Sequence, residues 1–305
     1  MNKMKKTALW ILTVLLVALA GYLFVYPYDY VIRFEVKAIP GTINQSIKLW
    51  NNTAGFPGIG VVQQDLYHLE QHVQAGESVH IYHWEIEPLD DNSSKVTVGI
   101  KDRDHSLKNK LWVPFTETDV ERLGVENVTL FVNDLKEHLD LFSVQIEGEA
   151  ELPSTFYAYM DLKTSQHGKA GGMMDTYLML SEELIRNGVT LNGLPMILVN
   201  EWDREKDSLE YRFCFPIIRS EQLPKHPDIK YNRIFPKRAL KATYNGNYIT
   251  SDRAWYALLD YAEKEGLEVE ETPVEVFFNN PNMGMDAVNW KAEIFMPLKE
   301  ESKSD

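Results

Sequence analysis

A carboxylate set among apolar residues is the first feature of this chain that suggests chemistry. Glu275 stands in the run Val274-Glu275-Val276-Phe277, and strand alternation puts Glu275 and Phe277 on one face, with Val274 and Val276 on the other. Burying that charge unpaired costs several kcal/mol on the usual scale for buried ions. The carboxylate therefore has to meet a cation, take up a proton, or lie on an edge strand facing water, as most glutamates do. Glu293, in Ala292-Glu293-Ile294-Phe295, is a second acid in similar company. Tyr244, Tyr248, Trp255, Phe277 and Phe295 are the aromatic residues that could wall a site for a cation. Taken singly, each also fits an ordinary core position.

Other motifs lead away from chemistry. Gly168-Lys169-Ala170-Gly171-Gly172 lacks the order of a phosphate-binding loop and reads as a strand-to-helix turn. His68-Leu69-Glu70-Gln71-His72 has the wrong spacing for a zinc-protease helix. Its polar residues alternate with Tyr67, Leu69 and Val73, as on a half-exposed strand. His80, His83, His105 and His138 add no ligand spacing, and His167 and His226 have no evident partner for a nucleophile-histidine-acid arrangement. The reading is of no metal and no cofactor. A lone Cys214 excludes an internal disulfide. A net charge of -14 argues against a nucleic-acid partner, which needs clustered Lys and Arg.

The elements that must position these residues begin with an uncharged stretch, 7–26, preceded by Lys3, Lys5 and Lys6. Twenty helical residues rise about 30 Å, the thickness of a hydrocarbon core. Trp10 at one end and Tyr22, Tyr26 and Tyr28 at the other suit the two interfaces. This predicts a transmembrane anchor over 1–27, with the N-terminus cytoplasmic and the bulk of the chain extracytoplasmic, at the cell surface or in a periplasm. A cleaved signal peptide is the alternative, with Ala18-Leu19-Ala20 as its site. Region 28–150 reads as strand (30–36), short helix (41–51), strands over 61–73, 79–87 and 95–101, then a helix over 116–141 with Thr116 as N-cap and a break near Gly124.

From 151 to 299 the chain repeats itself. Leu162 and Lys163 match Leu240 and Lys241, 78 residues on; Gly168 matches Gly246, Leu180 Leu258, Gly188 Gly266 and Pro195 Pro273. The shared glycines and prolines mark the same boundaries in both copies. Each copy reads as strand, turn, helix, glycine stop and two strands, with helices over 172–187 and 251–265, Ser251 as candidate N-cap, and Gly188 and Gly266 at positions needing positive φ. In this register Glu275 answers Ile197 and Glu293 answers Arg212, with which it could pair across a pseudo-twofold. The last residues, 300–305, form an acidic tail.

Three segments resemble a known family. Gly246-Asn247-Tyr248, Ala254-Trp255 and 261–266 are similar to the helical part of GyrI-like, or bacterial effector-binding, domains. Thr272-Pro273-Val274-Glu275-Val276-Phe277 with Asn280-Pro281 resembles their P-x-E-x-Y…D-P strand, and 292–298 their closing T-E-I-Y-x-P-V. Phe277 and Phe295 replace the usual tyrosines, and Asn280 the usual acid, which puts proton transfer at those positions in doubt. Order and length in 28–150 resemble the SRPBCC (START-like, helix-grip) architecture. The expectation is thus an α+β chain: an anchor, an antiparallel helix-grip domain, and a pseudo-twofold (βαββ)2 domain. The resemblance implies non-catalytic binding of lipophilic or cationic small molecules, with Glu275, Glu293 and the five aromatics as ligand-binding residues. The alternatives are a hydrolase of lipophilic strained-ring toxins, with Glu275 as the catalytic candidate that would act as general base or steer water, and an envelope protein-interaction module.

Overall fold

The computed structural model describes residues 3–53, 55–90, 92–221 and 223–300; nearly all of the expected acidic tail lies outside them. The chain divides into two compact units, Met1–Leu135 and Lys136–Asp305. Both are mixed α and β, each built on one antiparallel sheet.

The expected membrane anchor is not formed. The first helix, α1 (Lys3–Ala20), takes in all three lysines, so its uncharged part is only residues 7–20. At 1.5 Å per residue that is about 21 Å, well short of a hydrocarbon core. Beyond Ala20 the backbone opens into a π-helical turn, Gly21–Val25, and Lys110 Nζ donates to the carbonyls of Leu23 and Tyr26. No helix among the described residues is long and apolar enough to cross a membrane. The single-pass topology, and the extracytoplasmic placement drawn from it, are corrected accordingly.

In the first unit β1 (Tyr30–Val36), α2 (Pro40–Asn51), β2 (Gly58–Gln63), β3 (His68–Ala75), β4 (Ser78–Asp90) and β5 (Ser93–Asp102) precede α3 (Ser106–Trp112) and α4 (Asp119–Leu139), whose residues from Lys136 on belong to the second unit. The sheet order is β1-β5-β4-β3-β2. The single strand expected over 61–73 is two, because Asp65 Oδ1 accepts the backbone N–H groups of Tyr67 and His68 and turns the chain. Alternate residues of β4 and β5, among them Tyr82, Trp84, Val96 and Val98, are buried, and the Trp84 ring stands 5.0 Å from Phe131 of α4. The helix expected to break near Gly124 runs straight through it. A Cβ there would lie 2.5 Å from Ile100 Cδ1, so glycine serves close packing of α4 on the sheet. Thr118, not Thr116, receives the N–H of Glu121 at the start of α4.

The second unit holds β6 (Ser143–Leu152), β7 (Thr155–Thr164), α5 (Lys169–Arg186), β8 (Met196–Asp203), β9 (Ser208–Pro216), β10 (Lys230–Ile234), β11 (Lys237–Asn245), α6 (Arg253–Glu265), β12 (Val274–Phe277) and β13 (Lys291–Pro297). Its eight strands run β10-β7-β9-β8-β12-β13-β11-β6. The repeat is visible in that order: β7-α5-β8-β9 and β11-α6-β12-β13 are the two copies, meeting between β8 and β12. The register confirms the symmetry. Val274 pairs with Leu198 and Val276 with Met196, which the 78-residue offset interchanges, while Glu275 pairs with Ile197, its own counterpart. Gly188 (φ 74°) and Gly266 (φ 66°) close the two helices in the left-handed region, as expected. β6 joins the sheet beside β11, so this unit begins ahead of residue 151.

The last turn of α4 carries one pH-sensitive group. Burial pushes the His138 imidazole down to about 4, and the nearby Arg253 guanidinium acts in the same direction. An unfolded chain takes up this proton near pH ~6.5. Between those values the unfolded state binds more protons, so stability is intact above pH ~6.5 and is lost as pH falls towards about 4. Urea midpoints should drop over that window, and His138→Leu should flatten this part of the profile. Equal slopes in both proteins would refute the assignment.

Candidate functional site

Glu275 lies at the centre of the eight-stranded sheet and is fully buried. It meets its cation inside the fold. Lys169 Nζ, also 0% exposed, lies 2.8 Å from Glu275 Oε1. Ser251 Oγ donates to Oε2 at 2.8 Å and accepts from Lys169 Nζ at 2.6 Å. The ammonium also sits over the Trp255 ring, 4.7 Å from its centroid. Both carboxylate oxygens and the ammonium therefore have partners, as a buried pair requires.

Local structure explains how these groups converge. Lys169 opens α5, where Gly172 lets the helix press onto β9: a Cβ at that position would lie 2.4 Å from Tyr211 Oη. Tyr211 in turn donates to the Lys169 carbonyl at 2.9 Å. Ser251 follows a 3₁₀ turn, Tyr248–Thr250, whose Asn247 side chain accepts the N–H of Ile249. It does not cap α6; Asp252 takes that position, without a side-chain capping bond, and the serine hydroxyl lies 2.8 Å from Glu275 Oε2 and 3.0 Å from the Tyr248 carbonyl.

Beside this pair is a cavity of about 410 Å³. Met173, Met174 and Tyr177 of α5, Tyr248 and Ile249, Phe277 and Phe278, and Trp290 form its walls, with Asn247, Asn279 and Asn280 as its polar groups. None of the residues lining it is charged. Tyr248 is fixed from two sides: its hydroxyl donates to the Lys291 carbonyl at 2.8 Å and accepts the N–H of Asn279 at 3.0 Å. Its ring stands 4.8 Å from Phe277 and 5.3 Å from Trp290. Burial pushes its hydroxyl up to about 12, so it enters the cavity wall as a neutral phenol.

The residues expected to bind ligand are sorted by the sheet. Tyr248 and Phe277 line the cavity, whereas Glu275 and Trp255 do not; they belong to the buried pair. Tyr244 is buried, donating to the Asn247 carbonyl at 2.9 Å, and holds the turn that carries Tyr248. Glu293 and Phe295 are one residue to either side of Ile294, the partner of Glu275 on β13, and so project from the opposite face. Glu293 pairs with Lys291 at 2.8 Å and Lys241 at 3.3 Å, while Arg212, its expected partner, pairs with Asp161 at 3.4 Å. Sequence reasoning missed Lys169 and also Gln166, a buried side chain between β7 and α5. Gln166 accepts from Trp202 Nε1 at 2.9 Å and Tyr256 Oη at 3.1 Å and donates to Asp252 at 2.9 Å. In the first unit His68 pairs with Asp65 and His72 with Glu70. No group of three His, Cys, Asp or Glu among the described residues is placed to hold a metal ion.

No family model matches the chain, and no curated protein does. Solved structures do. The chain is similar to the C-terminal domain of EcmrR (TM-score 0.45, 16% identity), over 53% of this chain and 99% of that one. It is similar to SAV2435, solved bound to tetraphenylphosphonium (TM-score 0.36, 12% identity, 52% of this chain and 93% of that one). A hydrolase from Listeria innocua matches with a TM-score of 0.34 and 11% identity, over 54% of this chain and 98% of that one.

Proposed function

We propose that the second unit is a GyrI-like binding domain that takes up lipophilic small molecules without transforming them. The observation that carries this reading is the cavity: about 410 Å³, within the roughly 300–1,000 Å³ usual for small-molecule sites. Its aromatic and methionine walls and few amide groups also fit such a site. A ligand-sized cavity favours small-molecule binding over an interaction module. Binding is favoured over hydrolysis by Glu275, because a general base needs a free oxygen aimed at substrate, and both of its oxygens are held by Lys169 and Ser251.

Gly171 offers the direct test. It lines the cavity, and a Cβ there meets nothing within 4 Å. Gly171→Trp should fill the space, weakening binding of a neutral lipophilic dye such as Nile red at least a hundredfold. Folding stability should change little, since an exposed helical glycine is being replaced. Undiminished dye binding by a folded Gly171→Trp protein would place the site elsewhere.

A further inference from the structure

We propose that the cavity selects uncharged lipophilic molecules, and that Lys169 sets this selectivity by neutralising Glu275 from within the fold. This rests on the cavity being the binding site. A charged ligand entering it leaves water behind and meets side chains that carry no charge. The two ion pairs set behind its lining residues are already closed. Lys291 Nζ, 4.4 Å from the centroid of the Phe278 ring, is held by Glu293 at 2.8 Å. Glu275 is held by Lys169 and Ser251.

Glu275 is close enough for its neutralisation to matter. It shares a strand face with Phe277, two residues on, and Phe277 is part of the cavity wall. Side chains at that spacing are about 7 Å apart. A ligand against the Phe277 ring is then roughly 10 Å from Glu275, and at an effective dielectric constant of about 20 one uncompensated charge at that range changes the affinity of a charged ligand about tenfold. A paired ammonium and carboxylate at 2.8 Å present only a short dipole, whose effect falls off much faster. The pair is also absent from the other half of the repeat: the counterparts of Lys169 and Glu275 are Asn247 and Ile197. Each member is thus charged in its own copy and uncharged in the other, and no charged residue lines the cavity.

The test compares Nile red (neutral), tetraphenylphosphonium (cation) and anilinonaphthalene sulfonate (anion) on the intact chain. The wild-type protein should bind the neutral probe at least tenfold more tightly than either ion. Lys169→Met should raise cation affinity about tenfold relative to the neutral probe. Glu275→Gln, which leaves the ammonium uncompensated, should raise anion affinity in the same proportion. Lys169→Met/Glu275→Gln should return to the wild-type ranking, and it serves if Lys169→Met alone does not fold. A purely structural role for the pair would move all three probes together. Equal affinity of wild type for Nile red and tetraphenylphosphonium, or variants that shift both ions alike, overturns the selectivity while leaving the binding site standing. Failure of every probe to bind, with Gly171→Trp indistinguishable from wild type, overturns the binding site itself and the selectivity with it.

Discussion

Lys169→Met should lower the unfolding free energy by about 3–5 kcal/mol, the usual cost of removing one member of a buried ion pair. The loss is large because of what remains. Glu275 is fully buried, and without the ammonium its Oε1 has no replacement donor within the pair, while Oε2 keeps only Ser251. The Trp255 face also loses the cation above it. Removing the carboxylate as well should recover most of the loss, because Lys169→Met/Glu275→Gln puts a neutral amide beside Ser251 and a thioether on the indole. Denaturant unfolding of the wild type, both single variants and the double variant gives the coupling directly. Additive losses, with no recovery in the double variant, would mean that the two side chains do not act as a pair.

Gln166→Leu should cost about 2–5 kcal/mol, from the desolvation of polar groups that lose their partner. Leucine exceeds glutamine by about one methylene, which adds a smaller steric term to the polar cost. The side chain is 1% exposed and serves three residues of two elements at once: Trp202 of β8, Tyr256 of α6 and Asp252 at the start of α6. Gln166 belongs to the first copy of the repeat, Asp252 and Tyr256 to the second. The variant should therefore loosen the docking of α6, seen as faster amide exchange in 253–265 relative to α5. A loss under about 1 kcal/mol with unchanged exchange would show that other partners replace the amide.

What the sequence disclosed about this site was its demand, not its answer. The run Val274-Glu275-Val276-Phe277 shows that a buried carboxylate needs a partner, but the partner is 106 residues away at the start of α5. No local periodicity distinguishes Lys169 from a solvent-facing lysine. Gln166 is hidden for the same reason, since its partners are 36 to 90 residues distant. The repeat, by contrast, was legible in Gly188 and Gly266, because a left-handed helix end constrains residue type locally. Glu293 and Phe295 were grouped with Glu275 by acidic and aromatic character, without the cross-strand register that the pairing of Ile294 with Glu275 supplies. The anchor failed at its start: hydropathy marks an uncharged run but not where its helix begins, and here the helix takes in the lysines. α3 went unread because it is seven residues long, shorter than the roughly 11–18 residues over which helical periodicity registers.

The register at the centre of the sheet has an implication for ancestry. Under the pseudo-twofold, position 275 maps onto position 197, and the two stand directly opposite each other. In a dimer of identical half-length chains, whatever residue occupied that place would face its own copy. A glutamate there would confront a glutamate, and like charges directly opposed destabilise a sheet. Two halves that share one polypeptide can keep isoleucine on one side and an acid on the other. The charge at the heart of this domain is thus a mark of asymmetry, one that identical half-length chains would have to oppose to its own copy.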